Sequence, residues 1–153
     1  MEIAKIENQT TQYIVVNLGI EQYGIDIKYV DNIVRMQKIT RVPKAQRHFK
    51  GIINLRGEIV PVMSIRLKMG LEDDQFTNAS RIIILKLEEK GMLGIIVDEV
   101  KEVVTLSEND VEKISSDAPD SNRGYLAGVG KYNDTLITLL NIGVIINDID
   151  NDF

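Results

Sequence analysis

The stretch Gly24-Ile25-Asp26-Ile27-Lys28-Tyr29-Val30-Asp31-Asn32-Ile33-Val34 returns 70 residues later as Gly94-Ile95-Ile96-Val97-Asp98-Glu99-Val100-Lys101-Glu102-Val103-Val104. Glycine, the apolar pair flanking the third position and the three later apolar positions keep their order and spacing. Working outward, an apolar run precedes each copy, Tyr13–Leu18 in one and Ile82–Leu87 in the other. Downstream, Ile59–Ile65 lines up with Leu136–Ile142 at an offset of 77, and a short apolar stretch follows both, Leu67–Leu71 and Val144–Ile149. A template that spans several elements in one order indicates a duplication, with two similar lobes too small to be very stable separately.

The period inside each lobe is that of strands. Runs of Val and Ile are bounded by turn residues. Leu87–Met92 reads as a hairpin turn between Arg81–Leu87 and Met92–Asp98. Asn54–Glu58 reads as a second, with Gly57 able to take positive φ. Lys131–Asp134 reads as a third. Pro61 cannot donate to a ladder, so its strand is expected at an edge or at a bulge there. Helix signals are short. Pro43 suits the first turn of a helical segment through Phe49. Ile65–Met69 stops at Gly70, a C-cap. Ser107 and Asp110 form a capping-box pattern that opens a turn through Ile114. Asn141 can cap Ile142–Asn147. Ser115–Arg123 reads as a loop. Short strands with turns between them suggest small β-barrels.

Composition narrows function. In 153 residues there is no Cys, one His and no Trp. Disulfides, thiolate metal sites and cysteine nucleophiles are excluded, and so are polyhistidine metal sites. Net charge is −5 and aromatics are 5%, which argues against a nucleic-acid or anionic-membrane footprint. The polar start, with Glu2 and Glu7, lacks the apolar core of a signal peptide, and no run approaches the roughly 20 residues of a membrane span. The expectation is a cytoplasmic protein.

Sites for chemistry are scarce. Gly128-Val129-Gly130 lacks the third glycine of a phosphate loop, and glycines that relieve crowding between strands explain it. Asp148-Ile149-Asp150-Asn151-Asp152 opens like a calcium loop but lacks its Gly and Glu, so an acidic tail is the reading. Glu72-Asp73-Asp74 reads as a solvated loop. His48 has no nucleophile motif beside it. No two of the 23 acids are paired by spacing. Neither catalysis, metal nor cofactor is expected. Arg56 is left, at the tip of the otherwise apolar hairpin Gly51–Val62. Two readings stand, an exposed turn cation or a fixed fork that pairs with a carboxylate here or on a partner.

That hairpin, with Val42-Pro43, Phe49, Gly51-Ile52-Ile53-Asn54-Leu55-Arg56-Gly57 and Ile59-Val60-Pro61-Val62, resembles the signature of the CheW family of chemotaxis coupling proteins. Tyr23–Ile27 with Val30, Gly94–Asp98, and Tyr125-Leu126 with Gly128–Gly130 resemble the family's pattern as well. Together they run from about Thr11 to Asn147. The resemblance implies a mainly β fold of two five-stranded OB- or SH3-like barrels with a few short helices. On that basis residues 1–10 are a tail, 11–78 the first repeat, 79–147 the second, with strand exchange between them possible, and 148–153 an acidic tail.

The resemblance also implies a non-enzymatic adaptor. Its partners are the regulatory domain of a CheA-type histidine kinase and the cytoplasmic tip of chemoreceptors, and it is recruited to receptor arrays beneath the inner membrane. With no room for kinase or receiver domains, a free-standing coupler, monomeric when free, is expected. Val30, Gly51, Arg56, Gly57 and Gly94 match positions associated with receptor coupling. Asn32 stands where many relatives carry an acid that pairs with the hairpin Arg. Asp31 is no automatic substitute, because strand neighbours point to opposite faces. Ile33, Val34 and Met36 are the candidate kinase contacts. The reading from another class is a small OB-type barrel that binds an oligonucleotide or oligosaccharide.

Overall fold

Continuous apolar runs such as Ile82–Leu85 and Leu93–Val97 make strands buried on both faces, while the alternating Val30–Arg35 is covered on one. In the computed structural model, which describes residues 9–88, 91–114 and 124–150, eleven strands account for most of the chain. They are β1 (Thr10–Leu18), β2 (Glu21–Asp26), β3 (Val30–Arg35), β4 (Phe49–Leu55), β5 (Glu58–Ser64), β6 (Arg81–Lys86), β7 (Met92–Val97), β8 (Glu99–Ser107), β9 (Val111–Lys113), β10 (Leu126–Tyr132) and β11 (Thr135–Leu140). Two helices, α1 (Ile65–Lys68) and α2 (Ile142–Asp150), each follow the last strand of a repeat.

The strands form two sheets, in the orders β8-β1-β2-β11-β10-β9 and β3-β6-β7-β5-β4. Each sheet takes one hairpin from one half of the sequence and the remaining strands, four in the first sheet and three in the second, from the other half. Replacing every strand by its counterpart in the other repeat converts one order into the other. Register follows the same rule. Gly24 pairs in parallel with Leu139, and Gly94 with Val62. Gly51 and Gly128 both follow a bulge, each on the first and outer strand of its hairpin. The copies differ at β9. Its counterpart is reduced to a single bridge between Thr40 and Ile52, which leaves five strands in one sheet against six in the other.

Three apolar clusters hold this together. Ile82 and Ile84 face one that also takes Ile53, Val60, Val62 and Ile96. Val34 and Met36 from the β3 edge and Leu55 from the β4 edge pack on the same cluster, so the sheet curls around it. Val15, Val104, Leu106, Ile137 and Leu139 do the same for the other sheet. The intervening residues, Ile83 and Leu85 or Ile14 and Val16, face a larger cluster shared by both sheets and sealed by Ile142 and Ile145 of α2. Period-two alternation thus feeds two cores at once.

The turns follow from local chemistry. Arg56 and Gly57 take positive φ at the β4–β5 tip, and Asn133 and Asp134 do so at the β10–β11 tip. The Ser64 hydroxyl caps α1 at Leu67 N (3.1 Å), and the Asn141 side chain caps α2 at Val144 N (3.2 Å). Ser107 N–H donates to Asp110 (2.9 Å), but the capped segment is one 3₁₀ turn running into β9 rather than a longer turn through Ile114. Pro43 does not open a helix, because Lys44 takes φ 62° and Thr40 is bridged to Ile52, and neither fits a helical backbone. Pro61 lies on a strand flanked by β4 and β7, but the β7 pairing begins only at Val62, so the missing N–H disrupts no parallel ladder. The loop read at Ser115–Arg123 and the end of the acidic tail lie outside the described residues.

Candidate functional site

Between the start of β3, the β4–β5 tip, the β6–β7 hairpin and α2 lies a groove of about 970 Å³. Tyr29, Leu87, Met92 and Ile146 give it apolar walls. Charges of both signs rim it, Lys28 and Lys86 against Asp31, Glu58 and Glu88. A 3₁₀ turn places Lys28 and Tyr29, its start fixed by the Asp26 carboxylate accepting from Lys28 N (3.0 Å). Apolar walls with a mixed-charge rim are the chemistry by which grooves in general take up amphipathic helices.

The expected coupling residues divide between this groove and the interior. Val30 opens β3 between two residues that line the groove, Tyr29 and Asp31, and packs on the shared core. Gly57 immediately precedes Glu58 on the rim, and its N–H is fixed by the Asn54 side chain (3.0 Å). Arg56 beside it is exposed and makes no ion pair among the described residues. The Asn32 side-chain oxygen accepts from Ile33 N (2.8 Å) rather than from Arg56. Among the described residues the guanidinium is thus an unpaired fork, at the β4–β5 tip two positions before the rim residue Glu58.

Gly51 and Gly94 do not line the groove. A Cβ at Gly94 would lie 2.7 Å from Ile82 Cγ2 and 3.3 Å from Val62 Cγ2, inside the sheet. At Gly51, with φ 139°, a Cβ would run into the Thr40 carbonyl. Both glycines admit neighbouring backbone or core side chains.

The three expected kinase contacts lie on or just past the β3 edge with different orientations. Ile33 points outward and is 36% exposed, whereas Val34 and Met36 are half-buried on the core cluster. The surface carries the duplication too. Val103, 70 residues on from Ile33, is 50% exposed on the β8 edge, and Ile59 and its counterpart Leu136 are 69% and 61% exposed. Outward-facing Ile and Val on an edge strand are a feature proteins ordinarily avoid unless something covers them.

One cluster is invisible to spacing. Asp98, just after β7, accepts two bonds from Arg66 of α1 (3.1 and 2.9 Å) and one from Gly19 N (2.7 Å) in the β1–β2 turn. This bidentate pair ties the turn of one sheet to the helix of the other. Burial pushes the Asp98 carboxyl up, but the Arg66 and Gly19 hydrogen bonds and the Arg66 charge outweigh it, leaving it below the usual carboxylate range. His48 is buried at 9% exposure, with its carbonyl accepting Ser64 N–H (2.7 Å), so it serves as a loop anchor. Among the described residues no group of three or more His, Asp or Glu is placed to hold a metal ion, and no helix is long and apolar enough to cross a membrane.

Comparison with known proteins gives one answer at every level. The CheW-like domain family matches residues 12–150. The chemotaxis protein CheW of Helicobacter pylori is 30% identical over 134 residues, covering 88% of this chain and 80% of that protein. The chemotaxis protein CheW of Klebsiella aerogenes is 29% identical, covering 92% and 85%. The crystal structure of the scaffolding protein TtCheW from Thermoanaerobacter tengcongensis superposes with a TM-score of 0.78 at 31% identity, covering 88% of this chain and 86% of that one.

Proposed function

This chain belongs to the CheW-like domain family, and from that premise we propose that it couples the cytoplasmic tip of chemoreceptors to a CheA-type histidine kinase. It is a chemotaxis scaffold, not an enzyme, in keeping with the names its relatives carry. The observation that carries the finer reading is the groove rimmed by Glu58 of the β4–β5 tip, whose Arg56 makes no ion pair among the described residues. Receptor tips are helical hairpins. One helix laid along Tyr29, Leu87, Met92 and Ile146 buries an apolar face, and Arg56 reaches a carboxylate on that helix as a bidentate donor.

The kinase contact falls on the β3 edge. Ile33 supplies the outward apolar side chain, while Val34 and Met36 hold the strand to the core beneath it. The kinase's regulatory domain is built on the same module, so an edge-to-edge contact between like folds is the natural geometry. The matching exposure of Val103 offers a second face of the same kind. An adaptor held at both ends changes kinase output only by binding its two states unequally.

The test is binding of a receptor-tip fragment, followed by amide chemical-shift mapping on the full chain. Shifts concentrated at 28–31, 56–58, 86–92 and 143–147 support the reading. Shifts elsewhere, with the groove silent, overturn it.

A further inference from the structure

A second groove shares no lining residue with the first. Residues 38–50 carry Lys38, Arg41, Lys44, Arg47 and Lys50 and no Asp or Glu. Five of the chain's 18 Lys and Arg are thus gathered within 13 consecutive residues, and the remaining 140 residues hold a net charge of −10. The segment is fixed. Thr40 and Ile52 exchange backbone hydrogen bonds of 2.8 Å each, Phe49 N–H donates to the Gln46 carbonyl (3.0 Å), and Ser64 N–H donates to the His48 carbonyl (2.7 Å). Lys44 is held at φ 62° in the turn after Pro43, a conformation usually left to glycine.

With Asp73 and Phe76 this segment encloses a cavity of about 690 Å³. Ile39, Val42, Phe49 and Phe76 give it apolar surface, and Val42 and Phe76 are 41% and 55% exposed. Arg41, Lys44 and Arg47 rim it, and none of them makes an ion pair among the described residues. Lys50 is engaged by Asp73, an internal example of a carboxylate seated at this rim.

We propose that this groove docks an acidic peptide segment of a partner protein. Its carboxylates engage Arg41, Lys44 and Arg47, and an apolar side chain enters between Phe49 and Phe76. Charge complementarity selects the occupant. Concavity and the small size of the patch select a peptide over an extended polyanion. A bilayer or a nucleic-acid duplex would reach past the patch to the net-negative remainder of the surface, within a Debye length of about 8 Å in physiological salt. The groove is independent of the receptor and kinase contacts above.

Fluorescence anisotropy of the full chain with a labelled dodecapeptide of alternating Glu and Leu around a central Phe tests this at low and physiological salt. Saturable binding is expected, weaker at the higher salt. It should fall at least tenfold when Gln replaces every Glu of the peptide, and again in the Lys44→Glu/Arg47→Glu protein. Both side chains are exposed, so melting of that variant should stay unchanged. Amide shifts on the unaltered protein, expected across 39–50 and 71–77, give a readout that needs no variant. Absence of saturable binding, an affinity indifferent to the charge reversal, or flotation with phosphatidylserine vesicles in place of peptide binding would overturn the proposal.

Discussion

Replacing Gly94 by alanine separates a packing role from a contact role at a position associated with receptor coupling. The added Cβ would stand 2.7 Å from Ile82 Cγ2 and 3.3 Å from Val62 Cγ2, and both methyls belong to fully buried residues with no open space to retreat into. Overpacking of this kind costs ~1–3 kcal/mol. For a domain of this size each kcal/mol lowers Tm by ~2–4 °C, so the melt should fall by roughly 2–12 °C. Ile82→Leu removes the offending Cγ2 while keeping side-chain volume, and alone costs less than ~1.5 kcal/mol. The double variant should therefore melt higher than the two losses summed, with a coupling of about 1 kcal/mol or more. Calorimetry reads the melts. Pull-down on a receptor tip, well below every midpoint, reads binding, which should persist in all three proteins. An unchanged melt with lost binding would put Gly94 at the contact surface. A lowered melt that Ile82→Leu does not relieve would place the strain somewhere other than this methyl.

Other expectations rest on orientation and charge. Arg56→Glu should weaken receptor-tip binding at least tenfold in titration while moving Tm by no more than about 1–2 °C, since an exposed, unpaired turn cation contributes little to stability. Ile33→Glu should reduce kinase affinity with the melt unchanged, whereas Val34→Asp buries a charge against Ile82 and Ile84 and should lower Tm by several degrees, by circular dichroism. The Asp98 carboxyl is depressed in the folded state, so its pair with Arg66 contributes fully above the unfolded value of ~3.9 and fades as pH falls through the lower folded one. Asp98→Asn should accordingly cost ~1.5–3 kcal/mol at neutral pH, a Tm loss of roughly 3–12 °C, and progressively less as pH falls below the unfolded value.

Much of this molecule is written locally in its chain. The Gly24 and Gly94 copies, the turns at Gly57 and Asn133, the helix stop at Gly70 and the cap at Asn141 depend on neighbours a few residues away, and each appears where the pattern put it. What reads poorly is set by distant partners. Alternation along Val30–Arg35 says that Ile33 and Val34 face opposite ways, but only pairing with β6 decides that Val34 is the one turned inward. Pro43 favours a helix start, yet the bridge from Thr40 to Ile52 overrides it with an extended segment. The Arg66–Asp98 pair joins residues 32 apart that no motif links. The groove is assembled from four elements of both repeats, so its apolar walls at Tyr29, Met92 and Ile146 looked like ordinary core residues.

The central claim, coupling between receptor and kinase, is tested most directly by isothermal titration of this protein with the regulatory domain of a CheA-type kinase from the same organism. Saturable one-to-one binding, weakened by Ile33→Glu and untouched by Arg56→Glu, is the predicted result. Absence of binding, with both proteins shown folded by their melts, would contradict the account.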